Sequence, residues 1–158
     1  MTAALLRPDN ITAVMPYSVL ITLHLFAAFI FVGTVFFEVL MLEGVRKHVP
    51  RESMRDVEKA IGHRARRIMP WTLLVLYGAG IGMAWHYRTV LAHPLDSTFA
   101  TLLTIKIVLA LSVLGHFITA MILGGKGLLT TRYVQRIHIS VFTHMVGIIV
   151  LAKAMLYM

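Results

Sequence analysis

Four apolar stretches, at about residues 17–42, 68–88, 98–123 and 137–158, constrain this chain more than any other feature. Each is close to the ~20 residues that a helix needs to cross ~30 Å of hydrocarbon. Lipid offers nothing to satisfy backbone N–H and C=O groups, so spanning segments of this kind fold as helices. With 58% of its 158 residues hydrophobic and 14% charged, the chain has more apolar surface than a water-soluble domain of this length can hide. Short connections then imply an all-α fold, an integral membrane up-down-up-down four-helix bundle forming one domain over residues 1–158. No internal repeat, low-complexity tract or second domain stands out. Residues 1–16 lack a basic start, a long apolar centre and a small-residue cleavage site, so the first helix reads as its own insertion signal.

The formal charge of +8 is unevenly placed. LEGVRKHVPRESMRDVEKAIGHRARR, between the first two apolar stretches, holds eight Lys or Arg against four acids, and GGKGLLTTRYVQR adds three more basic residues. The outer ends carry mainly Arg7 and Arg88. Positive-inside bias therefore puts both basic loops in the cytoplasm and both termini outside. The basic excess reads as a topology signal with some grip on anionic headgroups, and the expected partners are membrane lipids rather than nucleic acid. The absence of cysteine excludes disulfides, thiol catalysis, iron–sulfur clusters and covalently attached c-type haem.

Local signals refine the helices. Pro16 suits the first turn of helix one. Within 50–69, Met54, Val57, Ile61, Ala65 and Ile68 recur at helical spacing among charged residues, which predicts a cytoplasmic amphipathic extension leading into helix two, with a kink at Pro70. Gly78 and Gly82 form a G-x-x-x-G step that permits close helix approach. Asp96, Ser97 and Thr98 are candidate caps for helix three.

Ionisable groups inside membrane segments cost several kcal/mol at mid-bilayer, so each marks a candidate function. At ~1.5 Å per residue from each helix midpoint, His24 falls about 8 Å, Lys106 about 6 Å and Lys153 about 9 Å to the outer side, with Met83 at similar depth. Glu38, His116 and His144 fall in the inner half. His24 and His116 differ in depth by about 17 Å, too far to ligate one ion. Two lysines near a histidine disfavour a dedicated copper cage but suit an anion beside a ligand-seeking metal. Haem b fits that description: His24 as axial ligand, Met83 as sixth ligand, and Lys106 and Lys153 on the propionates. The competing reading has both lysines snorkelling to headgroups and His24 hydrogen-bonding a neighbouring helix. His116 and His144 are a second, weaker metal pair, or hydrogen-bond partners of Glu38. His144 and Lys153, nine residues apart, point to opposite faces of helix four, leaving one face for an edge, a partner chain or a second copy. His48, His63, His86 and His93 read as loop or surface histidines. The methionines at 41, 121, 145, 155 and 158 form no M-x-x-M cluster.

LHLFAAFIFVGTVFF resembles the first helix of the copper resistance D family of bacterial inner-membrane proteins, and RRIMPWTLLVLYGAGIGMA resembles its second. The layout is also similar to that of the related four-helix bacterial protoporphyrinogen IX oxidases. Their first-helix histidine falls on His24, their arginine-rich I-M-x-P entry on Arg66, Arg67, Met69 and Pro70, and their third-helix lysine on Lys106. Their glycine-histidine falls on Gly115 and His116, and their C-terminal lysine on Lys153. The resemblance covers roughly residues 18–157. It implies a multi-pass protein of the bacterial inner membrane with a b-type haem or porphyrin site, to which Arg67 would contribute, or a role in copper homeostasis. The chain departs from the oxidases in having His116 followed by Phe117 where they carry paired histidines, and FFEVLML where they carry a proline-arginine motif.

The expected function is thus haem or porphyrin binding with electron transfer to or from a membrane or periplasmic partner. Protoporphyrinogen oxidation would be a special case of it. The rivals are copper transport and a cofactor-free accessory subunit of a respiratory complex.

Overall fold

The computed structural model describes residues 8–128 and 130–157, apart from the side chains of 8–16 and 131. Arg7 and Met158 of the sequence reading lie outside the described residues. The described residues are helical throughout, joined by short turns: α1 (Pro8–Phe36), a π-helical turn (Phe37–Leu42), α2 (Glu43–Arg46), α3 (Arg51–His86), α4 (Arg88–Leu91), α5 (Thr98–Gly125), α6 (Thr131–Ala154) and a closing 3₁₀ turn (Met155–Tyr157). Four stretches are long and apolar enough to cross a membrane: Tyr17–Arg46, Arg51–His86, Thr98–Gly125 and Arg132–Tyr157. Large apolar side chains such as Phe26, Phe29, Trp71, Ile81 and Val150 stay exposed on them. Water would penalise such faces, whereas hydrocarbon is their natural solvent.

The boundaries depart from the sequence reading in several places. Helix α1 begins at Pro8, so Pro16 lies inside it. Helix α3, by contrast, follows the sequence reading: the amphipathic extension runs into the second span as one helix with Pro70 inside it. On that extension Met54 is buried and Ile61 and Ala65 are half-buried, but Val57 and Ile68 face out. Helix α6 starts at Thr131, six residues before the apolar run, because Thr130 caps it by accepting from the Tyr133 N–H. Of the three cap candidates before α5, Ser97 takes the role: its extended backbone lets Oγ accept from the Ala100 N–H at 3.1 Å.

The chain divides into two compact units, Met1–Phe31 with Glu52–Arg88, and Val32–Arg51 with Thr89–Met158. In the first, α1 and α3 run antiparallel: Leu20 meets Gly82, His24 meets Leu76 and Gly80, and Tyr17 meets Tyr87. Gly80 and Gly82, not Gly78, admit the neighbouring helix; a Cβ at Gly78 would touch nothing within 4 Å. In the second unit α5 and α6 are antiparallel, with Leu109 against Gly147, Ser112 against His144 and His116 against Ser140. Ile137, Val141 and Met145 recur one turn apart as the buried stripe of α6, with Val113 and Leu103 buried on α5.

Candidate functional site

In the first unit the candidate functional side chain is His24. Its Nδ1–H donates to the Leu76 carbonyl of α3 at 2.9 Å. A carbonyl only accepts, so Nδ1 carries the proton and Nε2 of the neutral ring is the pyridine-type nitrogen. Gly80, one turn after Leu76, leaves the ring room: a Cβ there would lie 3.3 Å from His24 Cε1. The imidazole is thus oriented by a backbone carbonyl, the arrangement that metal-ligating histidines use to fix their tautomer. Met83 is half-buried one turn beyond Gly80 on the same helix, and Arg67 is exposed near the start of the apolar part of α3. At one end of this unit Tyr17 and Tyr87 hydroxyls are 3.2 Å apart and the His86 ring stacks edgewise on Tyr17 at 5.1 Å, while Arg88 lies 5.6 Å over Trp85. Tyrosine and tryptophan gathered this way suit a membrane–water interface.

The second unit carries a closed set of polar bonds between α5 and α6. His116 Nδ1–H donates to the Ser112 carbonyl and His144 Nδ1–H to the Ser140 carbonyl, both at 2.7 Å and both one turn back on the same helix. Each Nε2 then accepts from the serine hydroxyl of the other helix, Ser140 to His116 at 3.1 Å and Ser112 to His144 at 3.2 Å. The ring centroids are 5.6 Å apart. A cleft of about 380 Å³, lined by Ser112, Gly115, His116, Thr119, Tyr133 and Ile137, opens beside His116.

Glu38 is paired with neither of these histidines. It sits in the π-helical turn, its side chain 13% exposed, with Oε2 3.1 Å from His138 Nε2 on α6. The wider π turn inserts a residue into the helical register at this intramembrane carboxylate, a feature that recurs at functional positions. One turn on, Glu43 accepts from Gln135 Nε2 at 3.1 Å and pairs with Arg46 at 3.5 Å.

The four cofactor residues expected in one layer are divided between the units, His24 and Met83 in the first, Lys106 and Lys153 in the second. Lys106 is half-buried and makes no hydrogen bond or ion pair with a described residue. Lys153 is exposed, its Nζ 4.8 Å over the Tyr157 ring, and faces away from the α5-facing His144 as nine-residue spacing requires. Among the described residues no three of His, Cys, Asp or Glu gather as a metal cage. Sequence reasoning missed Ser112, Ser140 and His138. The serines were findable, since SVLGH and SVFTH repeat one five-residue pattern. His138 carried no signal, because its carboxylate partner is 100 residues earlier. No family model matches the chain, and neither does any curated protein or solved structure.

Proposed function

We propose that this is a multi-pass protein of the bacterial inner membrane, both termini outside, which binds a b-type haem or related porphyrin through His24 and passes electrons to or from a membrane or periplasmic partner. One observation carries the reading: the His24 ring is held by the Leu76 carbonyl at 2.9 Å, which leaves Nε2 as its pyridine-type nitrogen, with Gly80 packed against the ring. The residues present fit such a group. His24 supplies an imidazole of fixed tautomer and Met83 a half-buried thioether on the adjacent helix of the same unit. A bound haem would supply a one-electron couple. The Leu76 carbonyl raises the basicity of the imidazole.

The resemblance to the four-helix protoporphyrinogen IX oxidases supports the same cofactor class, whereas that to the copper resistance D proteins supports the copper alternative. The test is an absorption spectrum with metal analysis of the purified protein supplied with haem. A Soret band at near-stoichiometric iron, lost or shifted in His24→Ala, is expected. A spectrum without a Soret band, or one unchanged in His24→Ala, would refute the proposal, and bound copper without haem would favour copper homeostasis.

A further inference from the structure

SVLGH on α5 and SVFTH on α6 lie antiparallel and bonded to each other, histidine to serine in both directions. Each imidazole commits Nδ1–H to a backbone carbonyl, so its one remaining basic atom is Nε2, and each Nε2 meets a hydroxyl. A hydroxyl both donates and accepts. When Nε2 takes a proton the hydroxyl turns and accepts from it, and the bond between the helices survives. An obligate donor in the same place, such as a backbone N–H, would expel the charged ring. With centroids 5.6 Å apart, charge on one ring opposes charge on the other.

We infer that His116 and His144 form a single-proton exchange site inside the membrane segment, one imidazolium held at either of two matched positions. Intramembrane histidines with defined partners are expected at proton pathways. The two positions differ in access. The cleft of about 380 Å³ is walled by His116 and not by His144; it is roomy enough for water, and Ser112, Thr119 and Tyr133 offer hydroxyls on its otherwise mostly apolar wall. The proton therefore enters and rests at His116.

The other ionisable groups on the packed elements leave this arrangement intact. Tyr133 lines the cleft, and Glu38 is engaged by His138. Glu43 is engaged by Gln135 and Arg46. On α6, exposed Arg132 and Arg136 precede Ser140 and exposed Lys153 follows His144, while Lys106 precedes Ser112 on α5. The inference stands apart from haem binding and is tested without it.

The experiment is nitrogen-15 NMR of histidine-labelled full-length protein in nanodiscs of neutral phosphatidylcholine, followed across about pH 8 to pH 5, where imidazoles change charge. At the upper end both rings should show Nδ1–H and a pyridine-type Nε2. Toward the lower end the pyridine-type signal of His116 should be lost while that of His144 persists. Ser140→Ala removes the hydroxyl that receives the charged N–H of His116, and should move the loss to His144. Ser112→Ala should leave it at His116, and Ser140→Thr should restore the original behaviour. Two rings that stay neutral throughout would make the array a helix lock and overturn the inference, as would two rings charging together. Loss at the same ring in both alanine variants would also overturn it. If an alanine variant fails to fold, the unsubstituted protein decides alone.

Discussion

Replacing Gly80 by alanine tests the seat of His24 directly, with Gly78→Ala as its control. In a helix interior, glycine to alanine stabilises by about 0.8–1.0 kcal/mol through propensity alone. At Gly78 an added Cβ meets nothing within 4 Å, so that gain should appear in full. At Gly80 the same Cβ would lie 3.3 Å from Cε1 and 3.4 Å from Nδ1 of His24. The ring has little room to yield, because its Nδ1–H is tied to Leu76, one turn away on the same helix. Relief of the contact lengthens that bond, and an interhelical hydrogen bond in a membrane protein is worth roughly 0.6 kcal/mol, reaching ~1.7 kcal/mol. Gly80→Ala should thus fall between slightly stabilising and mildly destabilising, about 0.6–1.7 kcal/mol less stable than Gly78→Ala. Reversible unfolding in mixed micelles measures both variants, and the His24 nitrogen-15 shifts report the Leu76 bond. Equal stabilisation by the two substitutions, with unchanged His24 shifts, would refute this placement of the ring.

Other substitutions probe the remaining elements. Ser97→Ala removes the cap of α5 and should cost about 1 kcal/mol, largely recovered by Ser97→Asp, as read by the same unfolding assay. His138→Leu leaves the mostly buried Glu38 carboxyl without its partner and should cost about 1–3 kcal/mol, whereas the double change Glu38→Leu with His138→Leu should recover most of the loss. A double variant no more stable than His138→Leu would mean that the pair is not coupled.

The membrane spans were readable from composition alone, because bilayer thickness sets segment length and lipid demands internally satisfied backbone. Helix ends were less so. Pro16 is a start signal by local rule, yet α1 begins earlier, at Pro8. In the glycine-rich stretch the four-residue spacing pointed to Gly78 and Gly82, while the helix register selects Gly80 and Gly82.

The candidate sites divide along the same line. His24, Glu38, Lys106, His116, His144 and Lys153 are conspicuous in sequence, since ionisable groups are expensive in hydrocarbon and stand out against it. Their partners are a different matter. Glu38 could have met His116 or His144 by depth, but the π turn and the register of α6 give it His138. The two histidines instead meet serines that are unremarkable one at a time. Hydropathy and spacing thus determined that this chain is built of membrane-length helices and which of their residues are candidates for chemistry. Tertiary structure decided who bonds to whom, because helices apolar on nearly every face carry no periodicity to fix their rotation and register, which are set by side-chain packing and hydrogen bonds between segments distant in sequence.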